Sequence, residues 1–225
     1  MTNVMFWHLC SPESTTKYAK WADDMDFEST VTCPINEGHQ RAGARLPGLS
    51  VTLQGKVVED FVWTWYSECL VQGRVLELFR RSKFTGYEVK PAKASLKGKS
   101  EQEPPGLWEL IVTGWGGMAP PDSGIRLVER CEGCGHTVYS GCSNPQHLID
   151  CSQWDGSDFF IVWPLPKFIF VTDRVAQAIR ANRLTGATLR RLRELDLSRG
   201  FSPGPLSYSM PRERARQLGA ALGIE

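Results

Sequence analysis

The chain repeats itself, and the repeat limits the architectures open to it. Residues 74–86 (RVLELFRRSKFTG) and 174–186 (RVAQAIRANRLTG) align without a gap at an offset of 100. Arg, Val, Arg, Thr and Gly match by identity, and Phe79/Ile179 and Phe84/Leu184 match in character. Val75, Leu78 and Phe79, like Val175, Ala178 and Ile179, fall at i, i+3, i+4, which predicts two amphipathic helices. Each helix is expected to stop at a glycine, Gly86 or Gly186. Strands are predicted to follow at 87–89 and 187–192. Upstream, DFVWTW at 60–65 faces DFFIVW at 158–163, and CPIN at 33–36 faces CEGC at 131–134, both at an offset of 98. One unit reads as a cysteine turn, an aromatic strand, a helix, a Thr-Gly stop and a strand. Two units are too few for a solenoid. The fold class predicted is α+β: two similar halves, 1–106 and 107–225, packed as one globular unit. The first half carries the degenerate cysteine turn, the second the intact one and a final helix.

Composition agrees with a buried core. Of 225 residues 41% are hydrophobic and 23% charged, values of a globular chain and not of a disordered one. No apolar run approaches the roughly 18 residues that span a bilayer. The longest, 159–170, is broken by Pro164, Pro166 and Lys167. The N-terminus lacks a basic stretch followed by an apolar one, so no signal peptide is expected. Seven cysteines, an odd count, then point to reduced thiols in a cytoplasm. A net charge of +1 implies neither nucleic acid nor membrane as partner. Residues 170–225 nonetheless hold ten arginines against five acids. That segment is either a solvated helix face or a surface for an acidic or phosphorylated partner.

Other segments read as a strand at 4–9, a short helix at 13–23, an exposed loop at 93–106 and a strand at 107–113. An irregular turn is expected at 114–124, a loop at 203–211, and a last helix from Pro211 through Leu222 with Leu218 and Leu222 on its apolar face. Trp63, Trp65 and Trp163 read as core. Trp115, beside two glycines and two prolines, reads as a partly exposed anchor for a protein partner or as packing under its own loop. Cys10 and Cys69 lie in apolar contexts and read as buried.

The sharpest motif is Cys131-Glu132-Gly133-Cys134-Gly135. A two-residue gap brings both sulfurs to one ion, so the motif is half of a zinc knuckle; otherwise it is a turn with reduced thiols. Tetrahedral zinc needs two more ligands. Cys33 supplies one, but Asn36 stands where the second cysteine of its pair would be. His39 is the candidate replacement from the next turn, with His136, Cys142 and Cys151 also within reach. No P-loop, dinucleotide fingerprint, nucleophile elbow or H-E-x-x-H is present, so no catalytic residue is predicted and the chain reads as a non-enzyme.

The run from Trp115 to Ile125, then Cys131–Gly135 and Val138-Tyr139-Ser140-Gly141, resembles the myxobacterial double-CXXCG paralogous family. The order of parts around it agrees: a Cys-Pro turn, Leu46-Pro47, and a late helix ending in Leu184-Thr185-Gly186. The resemblance implies a cytoplasmic immunity protein of the Sit type. Such a protein neutralises a cognate lipoprotein toxin, delivered between kin cells, by stoichiometric binding. This chain departs from the family by keeping one of the two motifs intact. A nuclease toxin would be basic and would attract acids. The candidates are Asp23, Asp24, Asp26 and Glu28, and secondarily Asp155 and Asp158. The alternative is a zinc-ribbon-like regulatory or nucleic-acid-binding module using Cys131, Cys134 and the arginines 190, 191, 193, 212, 214 and 216.

Overall fold

Two strands run without a break into two helices. The computed structural model describes residues 4–15, 18–46, 48–55, 57–97 and 104–224. Its strands and longer helices, in order, are β1 (Phe6–Cys10), β2 (Lys20–Trp21), β3 (Ser50–Leu53), β4 (Phe61–Trp63), β5 (Cys69–Gln72), α1 (Gly73–Arg81), β6 (Tyr87–Leu96), β7 (Leu107–Val112), β8 (Gly114–Met118), β9 (Leu127–Arg130), β10 (Thr137–Tyr139), β11 (Phe159–Trp163), β12 (Leu165–Thr172), α2 (Asp173–Ala181), β13 (Thr188–Arg191) and α3 (Arg212–Gly219). The fold is α+β. Among the described residues no helix is long and apolar enough to cross a membrane.

Helix α1 follows β5 directly and buries Val75, Leu76, Leu78 and Phe79; α2 follows β12 and buries Val175, Ala176 and Ile179. The helices do not end at the glycines. They end at Arg81 and Ala181, and two residues beyond each end Lys83 and Arg183 turn left-handed, with φ values of 52° and 48°. Phe84 N–H donates to Phe79 O (3.2 Å) and Lys83 N–H to Arg80 O (3.0 Å). Leu184 and Arg183 repeat the pair toward Ile179 O and Arg180 O. This is a Schellman closure with a left-handed residue at its turn, and the Phe84 ring packs on Phe79 beside it.

Gly86 and Gly186 serve a different purpose. A Cβ on Gly86 would collide with Phe159 O, and one on Gly186 with Phe61 O. The Thr85-Gly86 turn is pressed against β11, and the Thr185-Gly186 turn against β4. Phe159 N–H donates to Thr85 O (3.0 Å) and Phe61 N–H to Thr185 O (3.1 Å). Asp158 Oδ2 accepts from Thr85 N–H (3.2 Å), and Asp60 Oδ2 from Thr185 N–H (2.6 Å). Arg174 pairs with Asp158 and Arg74 with Asp60, both carboxylates being buried. Burial alone would raise the Asp60 carboxyl, but Arg74 and the Thr185 N–H and O–H hold it below the usual range. Asp158, a candidate partner contact by sequence, is thus an internal clamp. Asp155 is also engaged, accepting from Trp115 N–H, Ser157 and Arg214.

The sheets are stitched by strands from distant parts of the chain. Of the two large sheets one has the order β13-β1-β12-β11-β8, the other β2-β3-β6-β7-β5-β4, and β9 and β10 form a separate two-stranded sheet. Strand β7, beyond residue 106, completes the sheet of the earlier residues, while β1 from the N-terminus completes the sheet of the later ones. The registers correspond: Trp108 lies opposite Val71 and Pro91, and Trp7 opposite Val171 and Arg191. The main core runs through both sheets, from Phe61, Val71 and Phe79 to Phe159, Phe160 and Phe170. A smaller cluster of Ala19, Leu49, Val51, Leu53, Leu70 and Leu107 lies on the second sheet, with Trp21 and Met25 packed against it.

Several segments differ from their sequence reading. Residues 13–23 hold no helix among those described; Pro12–Thr15 is a turn and β2 a short strand, because Ala19 N–H is taken by Trp63 O (2.8 Å). Residues 93–96 extend β6, since β3 pairs with them in parallel, and 98–103 lie outside the described residues. The glycine-rich run at 114–118 is a strand, β8, parallel to β11. Its glycines are required because Phe160 and Val162 side chains fill the space a Gly116 Cβ would need. Trp115 is therefore half-buried in a strand and packs on the core. Trp65 is the reverse case, a predicted core residue that is 66% exposed. Cys69 is buried as expected and Cys10 half-buried. Helix α3 stops at Gly219, and Leu222, placed on the apolar face by sequence, is exposed.

Candidate metal centre

Two hairpins bring the cysteine turns together. Strands β9 and β10 pair in antiparallel fashion, and Cys131 to His136 form their connection, closed by Cys131 N–H to His136 O (2.8 Å). The other turn is closed by mutual hydrogen bonds between Val31 and Arg41 (2.8 and 3.1 Å). The backbone at Cys33 wraps its own sulfur: Ile35 and Asn36 N–H groups donate to Cys33 Sγ at 3.4 and 3.3 Å. This amide cradle is what a C-x-x-C turn provides to a thiolate.

The ligand atoms of Cys33, His39, Cys131 and Cys134 all lie within 4.8 Å of one another. Cys33 Sγ is 3.6 Å from Cys131 Sγ, and Cys134 Sγ is 3.8 Å from His39 Nδ1. Thiolates bound to zinc at about 2.3 Å sit about 3.7 Å apart at the corners of a tetrahedron. Three sulfurs and one imidazole at these spacings fit zinc in both number and chemistry. The four residues are those predicted from spacing, with His39 in the role that Asn36 vacates. Asn36 now serves the loop: its Oδ1 accepts Gly38 N–H (2.9 Å) and its Nδ2 lies 3.3 Å from His39 Nε2.

Electrostatics prepare the sulfurs. Burial would raise the Cys33 thiol, but the Ile35 and Asn36 amides and the neighbouring thiols bring it down to about 7. Burial likewise opposes ionisation of Cys134, yet the backbone at His136, with Arg41 and Cys131, holds it below the usual value. Cys131 is raised, first by burial and then by its sulfur neighbours. Arg41 spans the centre, with Nη1 3.8 Å from Cys134 Sγ and Nη2 donating to Cys134 O (3.1 Å). Three thiolates around a divalent ion would leave one negative charge, which the Arg41 guanidinium is placed to offset.

The other candidate ligands are placed elsewhere. His136 stacks on His39 (4.3 Å between ring centroids) and lies outside the cluster; burial, then His39 and Arg41, lowers its pKa. Cys142 is buried and donates to Ser123 O (3.1 Å), and Cys151 is exposed. Asp23, Asp24 and Asp26 are exposed, and Glu28 pairs with Arg212. Of the arginine-rich segment, Arg190 pairs with Glu13, Arg212 with Glu28, Arg214 with Asp155 and Arg216 with Glu213. Arg180 and Arg191 both lie over the Trp7 ring at 4.1 Å. Sequence reasoning missed the exposed pair Trp65 and Tyr66. The signal available was Trp-Tyr-Ser between two strand patterns, a short polar-ended run that reads as a hairpin turn. No family model matches the chain, and neither does any curated protein.

Proposed function

We propose that this chain is a stoichiometric protein inhibitor, a cytoplasmic immunity protein that binds and neutralises a cognate toxin delivered between kin cells. The observation that carries the reading is the ligand set itself. Three cysteines and one histidine offer the four ligands that a tetrahedral zinc takes, so a zinc held by all four would have no open position for water or substrate. A closed centre of this kind would brace loops, as structural zinc sites do. It would staple the turn at Cys33 to the turn at Cys131 and so present a preformed surface. The motif resemblance from Trp115 to Gly141 supplies the toxin as the kind of partner.

The alternative, a zinc-ribbon-like module that binds nucleic acid, draws on the same metal centre. The arginines it needs are largely engaged in ion pairs and on Trp7. The test is co-expression with the toxin-like product of the adjacent reading frame. Rescue of growth together with a one-to-one complex is expected. No rescue, or salt-sensitive nucleic acid binding by the purified chain, would remove the proposal.

A further inference from the structure

The most exposed aromatic side chains of the described residues sit at one hairpin tip. Trp65 is 66% and Tyr66 52% exposed, between β4 and β5. The tip is not loose. Ser67 N–H donates to Thr64 O (3.2 Å), Thr64 N–H to Glu68 O (3.0 Å), and Ser67 takes φ 71°. The Thr64 hydroxyl accepts from Tyr66 and Glu68 N–H (3.2 Å each) and donates to the Glu68 carboxylate. A three-residue hairpin of this form usually places glycine at the left-handed position. Serine there carries backbone strain, which persists where surrounding bonds impose it.

The rings continue off the tip. Trp65 packs on Tyr18 (4.4 Å), Tyr66 stacks on Trp21 (3.8 Å, 17°), and Trp21 touches Phe27 (5.2 Å). Trp21 Nε1 donates to Glu68 (3.3 Å), which locks the stack to the tip. Between Trp21 and Phe27 the chain makes a tight turn, Met25 N–H to Ala22 O (3.2 Å), that carries Asp23, Asp24 and Asp26. Both ends of this turn are half-buried members of the stack, so three exposed carboxylates lie on the segment between two rings of a ladder whose outer rings, Trp65 and Tyr66, are exposed. The ladder also borders a cleft of about 390 Å³ that reaches back to His39 and Arg41 of the metal centre.

We infer that this ladder is the docking face for a protein partner with a lysine- and arginine-rich surface. Open ring faces attract guanidinium and ammonium groups, and nearby carboxylates add to the attraction. The molecule itself uses this chemistry at Trp7, where two guanidiniums flank one indole. Rigid aromatics lose little entropy on binding, which suits them as anchors. The inference rests on the reading of the chain as a binding protein and moves the anchor from Trp115 to Trp65 and Tyr66.

The test uses the full zinc-loaded chain, labelled with ¹⁵N, and short synthetic peptides that differ only in carrying several Arg, several Glu or neither. The Arg peptide is expected to shift the indole N–H signals of Trp65 and Trp21 saturably. Trp65→Ala, and separately the triple change Asp23→Asn, Asp24→Asn, Asp26→Asn, should each weaken it about tenfold, while Trp115→Ala should leave it unchanged. Equal binding of the Glu peptide, shifts confined to another face, or no saturable shift would overturn the inference. So would a thymidine oligonucleotide that moves the same signals more than the Arg peptide does. Failure of growth rescue with a positive peptide map would remove the toxin and leave this surface standing.

Discussion

Alanine at position 186 tests the contact that seats the Thr185-Gly186 turn on β4. Gly186 has φ 77°, and a Cβ there would meet Phe61 O closer than 3.0 Å. The left-handed backbone alone costs an L-residue about 1–2 kcal/mol. The collision adds more, because backbone cannot rotate away as a side chain does. Relief requires Thr185 to withdraw from β4. That forfeits Phe61 N–H to Thr185 O and strains both Thr185 bonds to the buried Asp60 carboxylate. A neutral hydrogen bond contributes about 1 kcal/mol and one to a charged group about 1.5–3 kcal/mol. The total is about 4 kcal/mol, and at about 2–4 °C per kcal/mol for a chain of this size Tm falls by about 10 °C. Gly156→Ala is the control: its φ is 84°, yet nothing lies within 4 Å of the added methyl. It should lose only the backbone share, about 1–2 kcal/mol. Urea and thermal unfolding of both variants, with unchanged m-values, measure the difference. Equal losses in the two would refute the claim that the Thr-Gly turn is seated on β4.

The other predictions concern the metal and pH. One zinc per chain is expected by elemental analysis, and a chelator or Cys134→Ser should lower Tm, since metal binding contributes to folding; no change in Tm would remove the metal from the structural account. Asn36→Cys restores the second sulfur of the first turn and should tighten zinc in a competition titration at pH 7, because a thiolate would replace an imidazole. His8 is buried with Nδ1 unpaired among the described residues, and burial, then Arg190, lowers its pKa to about 4. The unfolded chain therefore takes up this proton first: the stability is fully present above pH 6.5 and is lost as pH falls toward 4, by about 3 kcal/mol. His8→Leu should flatten that part of the urea-midpoint profile, and an unaltered profile would count against a neutral His8.

Helical periodicity was readable because it is local: Val75, Leu78 and Phe79 mark their buried face within one turn and a half. The metal set was readable for a similar reason. C-x-x-C spacing specifies a turn geometry by itself, and His39 follows Cys33 closely enough to share its loop. Of the acids singled out as partner contacts, Asp23, Asp24 and Asp26 are exposed, while Glu28 is paired with Arg212. Trp65 was misplaced because alternation along DFVWTW continues the strand through a residue that the structure uses as a hairpin tip. The run at 114–118 reads as a turn by sequence because its glycines imply one until the Phe160 ring is known to lie across them.

Local chemistry in the chain therefore specified the helices, the cysteine turns and the four ligand types. Tertiary structure alone decided that β1 completes the later sheet and β7 the earlier one, that the Thr85-Gly86 turn docks on β11 and the Thr185-Gly186 turn on β4, and that Trp65 and Tyr66 stay exposed. Strand pairing across more than a hundred residues leaves no local signal, since any half-buried strand satisfies the same alternation. Which edge it joins depends on the free energy of the whole packed core.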